Sequence, residues 1–300
     1  MANRLSMKAA LNEIHVSEEI HELSSEEVKL LQNTMLDMYS DIFTVCKKNG
    51  LKLFLQGGTL LGHVRHHGFI PWDDDMDLGM MRVHYDKLIE IFDEELSDRY
   101  ELKAPGYHGG AVTRFIHIYK KDSYLETLDS RPDTPKMVSI DIFPIDYAPA
   151  NKVHRVLKGI YCNGLMFVAG SMEFIRYCTP EVKKELIKTP VGKLNYYIRK
   201  VTADLFRFYS LEKMYVKVDH AVKGRRKTAW LTSSVGRRHY LGELQSAKTF
   251  IPLRRCEFCG REALTIHNER QYLLHNYGEH YMDVPPVEKR EKHFVKRMEL

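Results

Sequence analysis

The stretch LFLQGGTLLGHVRHHGFIPWDDDMDLGMM occupies residues 53–81 and decides how the fold begins. The apolar run at residues 51–56 is short and is followed at once by Gly57-Gly58, which is typical of a buried strand that ends in a turn. Residues 59–67 predict a short helix, and residues 76–81 predict a second strand. The acidic residues of this stretch therefore lie where the second strand starts.

Segments on either side of this stretch predict further helices and strands. Ser24 and Glu27 match a capping box, and the apolar periodicity after them predicts a helix that ends at Asn49-Gly50. Residues 85–96 predict a return helix, while residues 113–119 and 138–143 have the alternation or β-branched content of strands. We interpret the first 150 residues as mixed α/β, with a mixed sheet flanked by helices.

The second half of the chain has a different pattern. Helical periodicity dominates residues 152–223, with basic and aromatic segments at 181–187, 192–205 and 211–222. We therefore place a soft boundary near residue 150, between a core of residues 1–150 and a mainly helical region of residues 151–300. Within the tail, residues 229–235 and 246–252 predict short strands and residues 269–277 predict a helix ended by Gly278. We expect this tail to pack back on the core.

The amino-acid composition limits which cellular location and which kinds of partner are expected. With 45 Lys and Arg against 40 Asp and Glu, the chain is too weakly basic for a dedicated nucleic-acid binder, so we expect no nucleic-acid partner. Arg4 and Lys8 are not followed by a continuous apolar segment, and the apolar run at residues 164–171 is too short to span a bilayer. Five cysteines, few and odd in number, predict free thiols. We expect a cytoplasmic protein without an export signal or a transmembrane segment.

Acidic residues form the strongest chemical signal. Asp75 and Asp77 are two positions apart on a predicted strand, so both side chains are expected on one face, where they can share a divalent cation. Asp141, between two isoleucines of another predicted strand, is the expected third carboxylate. We predict that these three aspartates are catalytic and hold Mg²⁺, with Mn²⁺ as the alternative.

Two more aspartates, Asp73 and Asp74, crowd the same segment. They are predicted either to cap the turn after Pro71 or to support the site on its substrate side. A lone pair of spaced aspartates is usually solvated surface or a turn cap. Four carboxylates within five positions, however, repel one another unless a cation or a basic partner is present.

Several other residues are candidates for binding the substrate. Gly57 and Gly58 lack side chains, so their amides are expected near a phosphate, and Thr59 adds a hydroxyl group there. Arg65 is expected to bind a second phosphate oxygen and to stabilise charge that develops during transfer. Trp72 either stacks on a nucleotide base or packs against the hydrophobic core.

Other residues are given no role in the site. No role is assigned to His63, His66 and His67, and the Cys256-x-x-Cys259 motif lacks the second ligand pair of a typical zinc site.

Three blocks of sequence resemble the LicD family, which includes bacterial phosphorylcholine transferases and the fukutin-related proteins. These are GGTLLGHVRHHGFIPWDDDMDLGM (residues 57–80), SIDIFPID (residues 139–146) and YLLHNYGEHYMDVPP (residues 272–286). Together they extend the resemblance over most of the chain, although residues 150–245 contain no matching motif. The resemblance implies a nucleotidyltransferase fold, magnesium, and transfer of a substituted phosphate from a CDP-activated donor to a sugar hydroxyl.

Carried over position by position, the resemblance places the metal aspartates of the family at Asp75 and Asp77, with Asp141 in the IDIFP block and the glycine pair at Gly57 and Gly58. His63 stands where small residues are common in the family, and Cys259 stands where an acidic residue is expected. The gap from Gly58 to Asp75 is longer than in ordinary nucleotidyltransferases, although it is typical of this family.

The resemblance also implies the substrates. The expected donor is CDP-choline, with CDP-ribitol and CDP-glycerol as alternatives, and the expected acceptor is a glycan or lipid-linked glycan of teichoic acid, capsule or lipopolysaccharide. A lipid-linked acceptor would bring the protein to the inner membrane face as a peripheral protein, through the basic helices of residues 193–227.

Two other functions compete with this one. A metal-dependent nucleotide-sugar glycosyltransferase usually has several β-α units before its paired aspartates, whereas here only one helix and one strand precede the glycine pair. A non-catalytic binding protein is disfavoured because the three aspartates are intact.

Overall fold

The centre of the fold is a sheet that mixes parallel and antiparallel strands. The computed structural model describes residues 20–300 except 110 and 129, so the N-terminal segment with Arg4 and Lys8 lies outside the described residues. Five strands follow one another across the sheet: β2 (Leu53–Leu55), β3 (Asp77–Met81), β7 (Ser139–Tyr147), β5 (Ile116–Lys120) and β4 (Tyr100–Lys103). The β3–β7 pair is parallel and the other pairs are antiparallel. The predicted mixed α/β fold class is confirmed.

Three helices cover this sheet: α1 (Ser25–Lys48), α2 (Gly57–His66) and α3 (Arg82–Glu95). The capping box at the start of α1 is present, since the Ser24 hydroxyl accepts from the Glu27 amide and the Glu27 carboxylate accepts from the Ser24 amide. Leu31, Met35 and Ile42 of α1 are buried in the same apolar cluster as the sheet strands. The helical period of these residues explains why α1 lies along the sheet.

Four further helices follow the sheet: α4 (Lys152–Tyr177), α5 (Pro180–Leu186), α6 (Pro190–Leu205) and α7 (Leu211–Val222). Their start points follow from local sequence, because Thr179, Thr189 and Ser210 each accept a backbone N–H at a helix start. Buried side chains such as Cys162 and Met214 form an apolar cluster distinct from that of the sheet. This part of the chain is mainly helical, as predicted.

The tail contains the remaining elements, which are β8 (Trp230–Thr232), α8 (His239–Gly242), β9 (Gln245–Ser246), α9 (Ala247–Phe250), β10 (Arg254–Phe258), β11 (Arg261–Thr265), α10 (Glu269–Tyr277) and β12 (Phe294–Glu299). β8 pairs with the end of β7, and Phe250, Phe258 and Tyr272 belong to the apolar cluster of the central sheet. β12 lies between β1 (His21–Glu22) and β6 (Tyr124–Thr127) in a separate three-stranded sheet.

Four boundaries differ from those expected. Gly57 and Gly58 form the first turn of α2 instead of a separate turn before it, and α3 starts at Arg82. The strand expected at residues 76–81 begins at Asp77. The strand expected at residues 246–252 is wrong: the Ser246 hydroxyl accepts from the Lys248 amide and starts the short helix α9. Side-chain capping by serine overrode the local strand propensity there.

No helix within the described residues combines the length and the apolar content needed to cross a bilayer.

Arg82 links the sheet to the helical region by ion pairs with Asp146 and Asp219. Its buried guanidinium donates to both carboxylate oxygens of Asp146 on β7, at 2.9 and 2.7 Å, and to Asp219 on α7 at 2.8 Å. The Gly224 amide also donates to Asp146. Because Asp146 is fully buried, its charge depends on these partners.

We expect Arg82→Ala to destabilise the fold by about 3 to 5 kcal/mol, because it leaves Asp146 buried without its cationic partner. Urea unfolding measures the loss. Lys87→Ala is the control, since Lys87 pairs with Glu90 on the surface, and its effect should stay within about 1 kcal/mol. Equal losses in the two variants would contradict the assignment of Arg82 as the link.

Candidate active site

Asp77 and Asp141 lie side by side at the beginning of the two parallel strands. β3 and β7 pair in a register that sets Asp77 opposite Asp141, followed by Leu78 opposite Ile142. Asp141 therefore lies on the strand next to that of Asp77 and at the same level. Both aspartates are half-buried, so the sheet presents two neighbouring carboxylates to the solvent-filled space at its edge.

The glycine pair makes room for the Asp77 carboxylate. The Gly58 amide donates to Asp77 Oδ2 at 3.1 Å, and the Asp77 amide donates to the Thr59 hydroxyl at 2.8 Å. Gly57 has a φ of +57°, and a Cβ atom there would lie 2.2 Å from Asp77 Oδ2. The Gly57 amide donates to the Tyr272 hydroxyl at 3.4 Å. Contact of these two amides with a phosphate would therefore require them to exchange their present acceptors.

Asp75 occupies a different position from the one expected. It precedes β3, so the argument that it shares a strand face with Asp77 does not hold, because the strand period starts only at Asp77. Its side chain is accessible to solvent, yet the surrounding protein crowds it. Loss of hydration raises the pKa of Asp75 well above its ordinary value, and repulsion from Asp77 and Asp73 raises it further.

The same two causes act on the neighbouring carboxylates. Desolvation, and then the charge of Asp141, raises the pKa of Asp77 to about 7, although the Gly58 amide lowers it in part. Desolvation and the charge of Asp74 raise the pKa of Asp73 to about 6. Raised carboxyl pKa values mark a place where negative charge lacks a compensating cation.

The segment between α10 and β12 contacts three of the predicted site residues. The Arg65 guanidinium donates to the backbone carbonyls of Tyr281 and Asp283, at 3.1 and 3.2 Å. The Arg290 guanidinium lies 4.2 Å from the centre of the Trp72 ring, and His293 pairs with Asp74 at 2.8 Å. These side chains are thus held by the third block of the resemblance and the residues after it.

His117 is a candidate site residue that the sequence argument missed. It lies opposite Asp141 on the antiparallel strand β5, and its Nδ1 is 2.6 Å from Asp141 Oδ1. An ionised carboxylate only accepts hydrogen bonds, so Nδ1 carries the proton when Asp141 is charged. The alternating strand TRFIHIY already contained this histidine, but without the register of β5 on β7 nothing connected it to Asp141.

A cleft of about 570 Å³ adjoins this pair, and both His117 and Asp141 line it. Five residues of its lining have hydroxyl groups, Thr113, Thr127, Ser130, Thr134 and Ser139, and the hydroxyls of Thr113 and Thr134 donate to backbone carbonyls. Arg131 and Arg114 project toward Glu173 at the same cleft. A polar cleft with several hydroxyl groups suits a ligand that has many hydrogen-bonding groups.

The carboxylate oxygens near the N-terminal ends of β3 and β7 are suitable ligands for a hard divalent cation. Within the described residues, no three His, Cys, Asp or Glu side chains converge into a preformed metal cluster. Mg²⁺, however, is usually bound by one or two carboxylates together with water and substrate phosphates. Asp77 and Asp141 supply such carboxylates, and their charge repulsion favours a bound cation. Cys256 and Cys259 belong to no metal-binding group among the described residues.

Comparison with known proteins gives the family of this region. Residues 50–161 match the family described as "LicD/FKTN/FKRP, nucleotidyltransferase domain". This region of the chain is similar to that family. The match includes the glycine pair, the acidic segment and Asp141, so the resemblance seen in the sequence is confirmed.

Similarity to individual proteins extends beyond the matched region. The lipopolysaccharide cholinephosphotransferase LicD of Haemophilus influenzae is 24% identical over 288 residues, which are 91% of this chain and 97% of that protein. Human ribitol 5-phosphate transferase FKRP is 31% identical over 124 residues, 41% of this chain and 19% of that protein. An uncharacterised protein of Rickettsia typhi is 36% identical over 45% of this chain and 44% of its own length.

We expect the crowding of carboxylates to appear as a dependence of stability on pH. Because the pKa of Asp77 is raised from 3.8 to about 7, the folded chain binds more protons than the unfolded chain between these values, and its stability falls as the pH rises through them. Asp77→Asn should remove this contribution. In chelator at pH 8 the variant should be more stable than the wild type, on the order of 2 kcal/mol.

Urea unfolding of the two proteins at pH 5 and pH 8 measures this difference. Asp98→Asn is the control, because Asp98 is exposed and lies outside the cluster. A stability difference for Asp77→Asn that is the same at both pH values would contradict the crowding of charge at this edge.

Proposed function

We propose that this chain is a divalent-metal-dependent phosphotransferase that moves a substituted phosphate from a CDP-activated donor to a sugar hydroxyl of a cell-surface glycan or its precursor. The observation that carries the proposal is the register of β3 on β7, which pairs Asp77 with Asp141 beside the glycine pair. Two relatives whose names describe transfer of phosphocholine or ribitol 5-phosphate support the reaction class. Phosphocholine is the first candidate group because the relative aligned over nearly the whole chain is a cholinephosphotransferase.

Mg²⁺, with Mn²⁺ as the alternative, is the proposed cofactor. Asp75, Asp77 and Asp141 would hold it, and it would neutralise the charge of the donor diphosphate. The raised pKa of Asp77 supports this assignment, because desolvation and the charge of Asp141 both disfavour its ionised form and a bound cation would offset them. The Asp73 carboxylate also lies close to Gly58 and adds negative charge near the same place.

The transfer requires a sugar hydroxyl to attack the phosphorus that bears the small alcohol. A new bond forms between that phosphorus and the sugar oxygen, the bond to the bridging oxygen breaks, and CMP leaves with the electron pair. Asp141, oriented by its hydrogen bond from His117 Nδ1 at 2.6 Å, accepts the proton of the attacking hydroxyl. Positioning accounts for most of the rate, since phosphoryl transfer needs little covalent help from the protein.

The cleft beside Asp141 is the proposed place of the acceptor. Its hydroxyl-rich lining supports a sugar, and its position next to the His117–Asp141 pair would bring a sugar hydroxyl close to the proton acceptor. Arg65 is proposed to bind a phosphate oxygen of the donor through Nη2, because its Nε donates to His66 and its Nη1 donates to the Tyr281 and Asp283 carbonyls. Trp72 has Arg290 near its ring, so a base would have to share the ring with that cation.

Calorimetric titration tests the donor and the metal together. We expect one of CDP-choline, CDP-ribitol and CDP-glycerol to bind in the presence of Mg²⁺ and not in chelator.

Asp77→Asn should lower turnover at least about 100-fold, since it removes charge that the cation requires. Asp98→Asn, an exposed change of the same kind, should keep activity. Release of UDP from a UDP-sugar would instead support a glycosyltransferase, and absence of metal binding would support a non-catalytic protein.

The glycine pair gives a second, independent test. Gly57→Ala should lower turnover at least about tenfold, because its Cβ would displace the Asp77 carboxylate. Gly50→Ala is a matched control: Gly50 also has a positive φ, of +67°, but a Cβ there would meet nothing within 4 Å. Steady-state kinetics of the two variants, with unfolding curves for both, separates the effect on the site from backbone strain. Equal activity in both variants would contradict the role of Gly57.

A further inference from the structure

Two neighbouring helices of the mainly helical region carry exposed apolar stripes. On α4 the exposed side chains recur at helical spacing at Val153, Leu157, Ile160 and Phe167. On α6 they recur at Val191, Leu194, Ile198, Val201 and Leu205. Other residues of each helix, such as Met166 and Tyr196, are buried, so each helix has one apolar side inside and another in solvent. We call these nine exposed residues the α4–α6 face.

Contacts between the buried sides of α4 and α6 fix the two helices relative to each other. The Arg199 guanidinium of α6 donates to the Gly170 carbonyl of α4 at 3.3 Å and lies 5.2 Å from the centre of the Phe174 ring. Phe174 in turn packs against Tyr196, with ring centres 6.3 Å apart. A group of exposed apolar side chains of this size on packed helices is typical of a surface that contacts another body.

The charge around this face is strongly positive. Residues 152–209 contain eleven Lys and Arg but only four Asp and Glu, whereas the whole chain has 45 and 40. One of the four acids, Glu173, and one of the eleven bases, Arg155, are buried, so the excess of basic residues remains when only exposed side chains are counted. The excess of positive charge is therefore concentrated in the same region as the apolar stripes.

A basic cavity of about 610 Å³ lies where α4 begins, and His154 and Lys158 of α4 line it. Its charged and imidazole side chains are those of His154, Lys158, Lys223, Arg225, Arg226 and Lys227, and no Asp or Glu lines it. Lys223 and Arg225 pair with Asp86. Arg226 and Lys227 are exposed, and no ion pair is found for either one among the residues that the structure describes. Such a cavity suits a phosphate group.

We propose that the α4–α6 face docks on an anionic phospholipid bilayer, with the basic cavity binding headgroup phosphates. Helices with an exposed apolar side and flanking Lys and Arg lie in the plane of the membrane interface, where apolar burial and attraction to anionic lipid act together. Pairing with a second copy through this face would bring two positively charged regions together, which like-charge repulsion opposes. The docking requires neither donor nor metal, so it stands apart from the proposed reaction.

Cosedimentation with vesicles tests the proposal. Vesicles of phosphatidylcholine alone are compared with vesicles that also contain phosphatidylglycerol. The test variant is Leu157→Glu/Ile160→Glu, at positions 59% and 58% exposed, and the matched control is Leu30→Glu/Val83→Glu, at positions 52% and 68% exposed on α1 and α3. Both variants change the charge equally. We expect the test variant to bind anionic vesicles at least about tenfold more weakly, and the control to stay within about threefold of the wild type.

A second variant tests the cavity. Arg226→Gln/Lys227→Gln should weaken binding to the anionic vesicles by about tenfold and leave the weak binding to phosphatidylcholine unchanged. Urea unfolding and calorimetric donor binding, measured on every variant, show whether the fold and the active site are intact. These controls also distinguish failure of docking from failure of the proposed reaction, because donor binding is measured without lipid.

Three outcomes would overturn the proposal. The wild type fails to bind anionic vesicles, or the two glutamate variants lose binding equally, or the face mediates self-association. The last outcome would appear in analytical ultracentrifugation without lipid, as a wild-type dimer that Leu157→Glu/Ile160→Glu dissociates.

Discussion

Burial of mutually repelling carboxylates near the N-terminal ends of the inner strands β3 and β7 is the constraint on which the rest of the site depends. The parallel register of β3 on β7 sets Asp77 beside Asp141, and the preceding loop adds Asp73 and Asp75. Folding therefore concentrates negative charge in a place where water is limited, which costs stability. A protein retains such an arrangement when the charge serves binding or catalysis.

The rest of the site limits how these carboxylates can relax. Gly57 and Gly58 leave the space that the Asp77 carboxylate occupies, and Thr59 bonds to the Asp77 backbone. On β5, the neighbour of β7, His117 fixes Asp141 by a hydrogen bond to Asp141 Oδ1. The arrangement thus fixes two carboxylates by their neighbours, and one of them, Asp141, lines the cleft. Such fixed groups are consistent with the preorganisation that phosphoryl transfer requires.

Local sequence was sufficient to predict much of this arrangement. The capping box at Ser24, the period of α1 and the boundaries of α7 and α10 follow from residues close in the chain. The neighbourhood of Asp77 and Asp141 was also predictable, because both lie in short apolar strands that have to share one sheet. The position of Asp75 was not, because the strand begins at Asp77, two positions after Asp75.

Features that depend on distant pairing could not be predicted from the sequence. His117 meets Asp141 only through the register of β5 on β7, and Arg82 meets Asp146 and Asp219 across 64 and 137 positions of the chain. Bonding of the Arg65 guanidinium to the Tyr281 carbonyl likewise depends on how the tail folds over the core. Patterns within a window of ten or twenty residues contain no information on such contacts.

The most direct test of the central claim is a crystal structure of the protein with Mn²⁺ and a CDP-linked donor, in which anomalous scattering locates the metal. The account predicts an anomalous peak between the carboxylates of Asp77 and Asp141, in contact with an oxygen of the donor diphosphate. A metal bound elsewhere with these two carboxylates unliganded, or a donor bound away from the glycine pair, would contradict it.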